Sequence, residues 1–397
     1  MTLDLTKVSA QVQRMGEQLR DSRGARLARL DRARTLFRQL APQWEALAAQ
    51  ARQSTISAAA PREPLDAVHP RPHASSAYEV LATDGSTIEP DRHGPAMCAL
   101  INVGRVRIRY GADASASLDN EPRLYFRPEE LYLSQGGSRR LLSERLLDAR
   151  RSVAEMAALA RLGRDSPADL PRVALADGLL TIWRQDWAEA DSDLLEGELR
   201  SALDAIAEAQ LPLAAYVSNP HSHWVADLLR QAAGCQAGPQ SCSADCAPLA
   251  ESPADGTSAS DELCSLSGLV DVQLYEHLQS GDRSGVFEVA GRDQDRYGAR
   301  NRSNFFYLHV GSEIARVEVP RWVAEDSRAL ELVHWVICDQ SERGQGYPAA
   351  LARAHEQAVL TGQDRRAFEQ LVVEALQRAG QRTGLSEKRI SKNVRAV

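Results

Sequence analysis

The stretch YEVLATDGS, residues 78–86, decides the fold. A short apolar run ends abruptly on Asp84-Gly85, and the pattern recurs at residues 172–180, RVALADGLL, where a second apolar run ends on Asp177-Gly178. Continuous apolar runs of this length bounded by turn residues read as buried strands. Residues 140–163 between them (RLLSERLLDARRSVAEMAALARLG) have helical period and composition. A second helix is predicted around residues 196–209, and LAAYVSNP (213–220) reads as the next strand. Strands interleaved with helices predict an α/β layered domain, a sheet flanked by helices.

Working outward, ALINVGRVRIRYG (99–111) continues the first strand, with apolar and polar residues alternating at Val106, Ile108 and Tyr110. FFYLHV (305–310) and IARVEV (314–319), separated by GSE, read as a β-hairpin, and helices are expected at about 328–339, 348–361 and 365–379. Residues 3–52 place Val8, Val12, Met15, Leu19, Leu27, Leu30, Phe37 and Leu40 at spacings of three, four and their multiples, with arginines over the remaining surface. That pattern predicts helix, kinked or ended at Pro42. It suits a coiled-coil-like arm for dimerisation or docking and suits a solvated helix equally well. The expected organisation is a helical arm at 1–53, a Pro- and Ser-rich linker at 54–76, and a main domain at 77–379. That domain carries a flexible insertion at about 234–267, and a basic tail follows at 380–397.

The 397 residues are 43% apolar and 25% charged, which excludes collagen-like, wholly disordered and disulfide-scaffold classes. The net charge is −7, unevenly spread: residues 1–53 hold ten basic and five acidic side chains, and residues 376–397 hold six and one. Basic ends on an acidic body fit ends that touch a polyanion and a body that holds cations. No apolar run reaches membrane-spanning length, and MTLDLTKVSAQVQR lacks the layout of a signal peptide, so a cytoplasmic protein without membrane attachment is expected.

The two Asp-Gly motifs carry the first chemical suggestion. A carboxylate at the end of each of two buried strands of one sheet converges on a common point, and hard divalent cations such as Mg²⁺ and Mn²⁺ take oxygen ligands there. Asp-Gly is also simply a favoured turn. In GQGYPAALARAHEQAV (344–359), Tyr347 precedes a helix opened by Pro348, and His355 follows eight residues later on roughly the same side. A His beside a carboxylate-bound metal serves as ligand or proton carrier, and a Tyr hydroxyl can hold a phosphate oxygen. Cys235, Cys242, Cys246 and Cys264 fall within thirty positions in a C-x6-C-x3-C-x17-C arrangement. Four thiolates suit Zn²⁺ or an iron–sulfur cluster, but the spacing lacks paired CxxC knuckles and suits incidental cysteines in an insertion as well. Cys98 and Cys338 lie in apolar contexts and read as core residues.

These segments, with RSVAEMAAL (151–159) and DQSERGQGYPAALARAHEQAV (339–359), occur in the order and at roughly the spacing of the NurA nucleases. The sequence resembles that family over about residues 77–379, most specifically in the DGS motif and the closing GYP…AHE segment. The resemblance implies an RNase H-like mixed sheet flanked by helices, a Mn²⁺ or Mg²⁺ cofactor and a homodimer. It implies a HerA-type hexameric ATPase as partner, and 5′–3′ exonuclease and single-strand endonuclease action on DNA ends in double-strand-break repair. By that resemblance the metal-binding aspartates fall on Asp84 and Asp177 and the helix glutamate on Glu155, with Glu144 the alternative on the same helix. Tyr347 and His355 match the closing Tyr and His, with Tyr347 positioning the phosphate and His355 joining the metal shell or moving protons. Arg316 and Glu318 match a further motif and read as a salt bridge supporting the hairpin, while His309 reads as structural. No GxxxxGK[ST] segment is present, so ATP-driven movement must come from a partner. The competing reading is a non-catalytic DNA-end clamp or adaptor for such an ATPase.

Overall fold

The computed structural model describes residues 4–21, 23–53, 58–73, 77–135, 138–182, 189–233, 266 and 268–381. The four clustered cysteines at 235, 242, 246 and 264 lie outside the described residues, as do Lys388, Arg389, Lys392 and Arg395 of the basic tail. The chain forms two units. One comprises Met1–Pro70, Asn219–Arg292 and Phe305–His309, and the other Arg71–Ser218, Asp293–Asn304 and Val310–Val397.

The second unit is built on the opening motif. Residues Tyr78–Ile88 form strand β1, which pairs antiparallel with β2 (Ala99–Tyr110), and β2 pairs antiparallel with β3 (Ser115–Tyr125). The other edge of β1 takes β4 (Arg172–Asp177) in parallel, β4 takes β5 (Leu213–Val217) in parallel, and β6 (Ile314–Pro320) closes this series antiparallel to β5. The order β6-β5-β4-β1-β2-β3 is a mixed sheet. Helix α1 (Glu144–Asp165) precedes β4 and α2 (Glu189–Glu208) connects β4 to β5, as parallel neighbours require long crossovers. Three further helices, α3 (Ser327–Arg343), α4 (Ala349–Ala358) and α5 (Gly362–Arg378), end the unit. This is an RNase H-like architecture, with the N-terminal helical segment belonging to the other unit.

Why β1 and β4 read so clearly is visible in their burial. Residues 78–84 and 172–176 are all buried, so neither strand needs a polar face. Leu81, Ile101, Val103, Ala174 and Ala176 pack against Leu147, Val153, Met156 and Leu159 of α1 and Leu199, Leu203 and Ile206 of α2. Each fully buried Leu or Ile contributes about 1.5–3 kcal/mol of transfer free energy. Strand β3 was not foreseen: Ser115–Leu124 is exposed throughout, so it carries no apolar alternation.

In the first unit, residues Leu5–Asp21, Arg23–Leu40 and Trp44–Gln53 are helical, with a single 3-10 turn at Ala41–Gln43 where Pro42 was expected to interrupt the helix. Leu30, Ala33, Phe37, Leu47, Ala48 and Ala51 are buried, so most of the expected arm is packed into this unit, whereas Leu5–Asp21 buries no residue. The expected linker at 54–76 is not one over its described residues. Ala58–Pro61 is a buried strand paired with Phe287–Ala290, and Val68–His69 pairs with Arg283–Ser284. Small alanines ending on a proline look like linker locally, but a partner over two hundred residues away supplies the ladder. Among the described residues no helix is long and apolar enough to cross a membrane.

Candidate active site

The five residues singled out above come together in the second unit. Asp84 sits in β1, one position beyond Thr83, which is in register with Ala176 of β4, and Asp177 ends β4 one position later. The parallel register therefore sets the two carboxylates on neighbouring strands at nearly the same level, Asp177 at the end of β4 and Asp84 within β1, which continues past the expected Asp-Gly turn to Ile88 because residues 85–88 stay paired with β2. Asp84 is 7% exposed; its Oδ1 accepts the Gly85 amide at 2.8 Å, and its Oδ2 lies 2.7 Å from Nδ1 of His355.

His355 is held there by the seating of α4. A Cβ on Gly104 of β2 would lie 2.2 Å from the carbonyl oxygen of Ala354, so only glycine lets the helix backbone rest on the sheet at this point. The carbonyl of Ala358 accepts from Asn102 Nδ2 at 2.8 Å and from the Ser86 hydroxyl, closing the C-terminal end of α4. Pro348 precedes the first residue of α4 and places Tyr347 just before the helix. The Tyr347 hydroxyl donates to Asp177, and its ring packs edge-on against Tyr216 at 5.5 Å, with Tyr216 directly beside Asp177 in the β4–β5 register.

Glu155 arrives from α1 on the other side of β1. A Cβ on Gly85 would meet its Oε1 at 2.4 Å and Cγ of Arg151 at 2.7 Å, so a side chain directly after Asp84 would displace both. Arg151, one helical turn earlier, donates to Glu155 Oε1 at 2.6 Å. Burial pushes the Glu155 carboxyl up to about 8; Arg151 opposes the shift, and the charges of Asp84 and Asp177 add to it. The protein packed around Asp177, and then the Asp84 charge, raise its pKa also, though its strand-end position leaves it solvent access. Burial and the adjoining Asp177 carboxylate raise Tyr347, which stays a neutral donor. Glu144, the alternative glutamate, is the exposed first residue of α1, three turns away along the helix axis.

A cavity of about 320 Å³ opens on this cluster, lined by Glu155, Asp177, Arg145, Arg151, Thr181 and Ile182 among others. Three neighbouring carboxylates, of which Glu155 and Asp177 have raised proton affinity, are a donor set suited to a hard cation. Even so, among the described residues no group of three or more His, Cys, Asp or Glu side chains is arranged to hold a metal ion. Each acid is turned to its own partner instead: Asp84 to His355, Glu155 to Arg151 and Asp177 to Tyr347.

A model of the NurA domain matches residues 78–360. The chain belongs to the NurA family. The matched span contains all five site residues, and membership of the NurA family suggests nuclease activity. Comparison with curated proteins gives no match. Sequence reasoning missed Arg151, although an Arg four residues before a Glu on a predicted helix is a legible signal. It also missed Gly104 and Tyr216, whose roles depend on contacts that no local pattern announces.

His309, expected to be structural, exchanges backbone hydrogen bonds with Gly281 and Asp282 in the first unit. Cys98 and Cys338 are buried thiols, as expected of core residues.

Proposed function

We propose that the protein is a Mn²⁺- or Mg²⁺-dependent deoxyribonuclease whose metal is held by Asp84, Glu155 and Asp177, with His355 completing the set. The observation that carries this reading is the convergence of three carboxylates from β1, α1 and β4, two of them with raised pKa, beside a His and a Tyr. When bound, the cation supplies Lewis-acid activation of water and neutralises charge developing on phosphodiester oxygens. His355, whose ring is 68% exposed, holds Asp84 through Nδ1 and has Nε2 left either to join the metal set or, in its place, to carry a proton between solvent and the leaving oxygen. Tyr347 gives its one hydroxyl proton to Asp177 and would turn it to a phosphate oxygen when DNA is bound. Arg151 fixes Glu155 and supplies positive charge beside the cavity.

The finer reading follows the family: 5′–3′ exonuclease and single-strand endonuclease action on DNA ends, as a homodimer working with a HerA-type hexameric ATPase in double-strand-break repair. Cleavage of end-labelled single-stranded and blunt duplex DNA with Mn²⁺, Mg²⁺ or EDTA tests it, alone and with the ATPase. Metal-dependent products that appear with wild type and vanish with Asp84→Asn support the nuclease. DNA binding with no products under any metal supports the end-clamp alternative instead.

A further inference from the structure

Arg316 and Glu318 are 2% and 1% exposed, two residues apart and so on one face of β6. Glu318 uses its whole carboxylate. Oε1 accepts from Arg316 Nε at 3.1 Å and Nη2 at 2.7 Å, while Oε2 accepts the backbone amide of Leu180 at 3.1 Å and the Ser303 hydroxyl at 3.3 Å. Leu180 lies three residues beyond Asp177, on the segment that leaves β4 through Gly178 at φ +89°. Two residues further on, the Tyr297 hydroxyl accepts from the Ile182 amide at 3.0 Å and donates to its carbonyl at 3.1 Å.

A buried ion pair is a poor source of stability, because desolvation offsets the attraction and a well-packed apolar pair does as well or better. What a buried carboxylate offers and an apolar side chain cannot is a directional acceptor for a backbone N–H that has no access to water. Leu180 is such a case, being 2% exposed. The salt bridge foreseen from the sequence is therefore present, and its second oxygen is shared between the Ser303 hydroxyl and the Leu180 amide of the segment that follows Asp177.

We propose that Glu318, oriented by Arg316, is a positioning residue for Asp177: it pins residues 178–180 through the Leu180 amide and so keeps the Asp177 carboxylate beside Asp84 and Tyr347. The reaction it serves is the nuclease reading above, on which this inference rests. The Gly178 amide donates to the Tyr216 carbonyl at 2.9 Å, but a glycine at positive φ leaves the residues beyond it free to swing, and the Leu180 bond is what ties them down. A strand end displaced by an ångström is enough to cost about a hundredfold in rate where reacting groups must be aligned.

The test compares two double variants with wild type. Arg316→Met/Glu318→Leu keeps the buried volume and removes the acceptor; Arg316→Met/Glu318→Gln also removes the ion pair but retains a carbonyl oxygen for Leu180. In the Leu variant, amide exchange at Leu180 speeds up by about tenfold or more, a local opening with little change in the melting temperature. Its kcat on single-stranded DNA falls by about tenfold with KM within about twofold, as expected when alignment rather than binding is lost. The Gln variant keeps Leu180 protected and regains most of kcat. Unchanged Leu180 exchange or unchanged kcat in the Leu variant overturns the proposal. If the Leu variant does not fold, the Gln variant decides alone, and loss of its kcat overturns the proposal. A wild-type protein that cuts no DNA sinks the nuclease reading instead, and Leu180 exchange then decides whether Glu318 anchors the segment.

Discussion

Buried carboxylates in the two units are treated in opposite ways. In the first unit Asp271 is 0% exposed, and its Oδ1 accepts the amides of Val225 and Ala226 at 3.0 and 2.9 Å, in the first turn of the helix Trp224–Ala232. Its Oδ2 accepts the Tyr307 hydroxyl at 2.7 Å, and the Tyr307 ring stacks on Tyr275 with centroids 4.7 Å apart. One charge meets several donors and the positive end of a helix, an arrangement that holds structure together. In the second unit burial and the neighbouring carboxylate charges instead raise the cost of ionising Glu155 and Asp177, and Glu155 is driven up to about 8. Like charges gathered where they cannot all be comfortable mark a site built for something that arrives later. Burial alone does not separate the two cases; the balance of donors against like charges does.

The largest expected effects come from removing one acid from each unit. Asp84→Ala and Asp177→Ala should each lower DNA cleavage by at least about a thousandfold while leaving the thermal melt close to wild type, because a ligand and not a structural anchor is lost. Near wild-type cleavage by either would sink the metal assignment. Asp271→Ala should do the reverse. Leaving two helix amides without an acceptor and taking the carboxylate from the Tyr307 hydroxyl should cost about 3–5 kcal/mol in urea unfolding. Cleavage per folded molecule should be retained, and a loss below about 1 kcal/mol would erase the distinction drawn here.

A pH series sharpens the same contrast. The Glu155 carboxyl is raised from 4.5 to about 8 in the folded protein, so the unfolded chain gives up that proton first as pH rises. Wild type therefore loses stability between about pH 4.5 and pH 8, by at most a few kcal/mol. Glu155→Gln has no such proton, so its melting temperature relative to wild type should climb from pH 5 to pH 8. A flat difference would show that Glu155 titrates normally. The smallest expected effect lies at the amino end. Leu5, Val12, Met15 and Leu19 are exposed along a helix that buries nothing, so deleting residues 1–21 should change stability by less than about 0.5 kcal/mol. The same deletion should shift the light-scattering mass from dimer to monomer, and an unchanged mass would leave that helix as a solvated extension.

Much of the second unit was legible because burial imposes a pattern on neighbouring residues. YEVLATDGS and RVALADGLL are strands buried on both faces, α1 and α2 carry an apolar stripe, and the chain folds them as read. The Asp-Gly motifs announced Asp84 and Asp177, although only Asp177 ends its strand and β1 runs on to Ile88, and the family motif pointed to Tyr347 and His355. What the chain could not announce by itself were meetings between distant segments. The family resemblance favoured Glu155 and kept Glu144 as the alternative on the same helix, and only the packing of α1 on β1 carries Glu155 over Gly85 and leaves Glu144 in solvent. Ala58–Pro61 looks like linker until Phe287–Ala290 pairs with it, and the exposed β3 has no pattern to read. Glu318 pairs with Arg316 two residues away, which spacing alone suggests, yet its bond to Leu180 spans 138 positions. Local periodicity records only which side of an element is buried. Which groups then face one another is set by register and crossing geometry, and these exist only once the chain has folded.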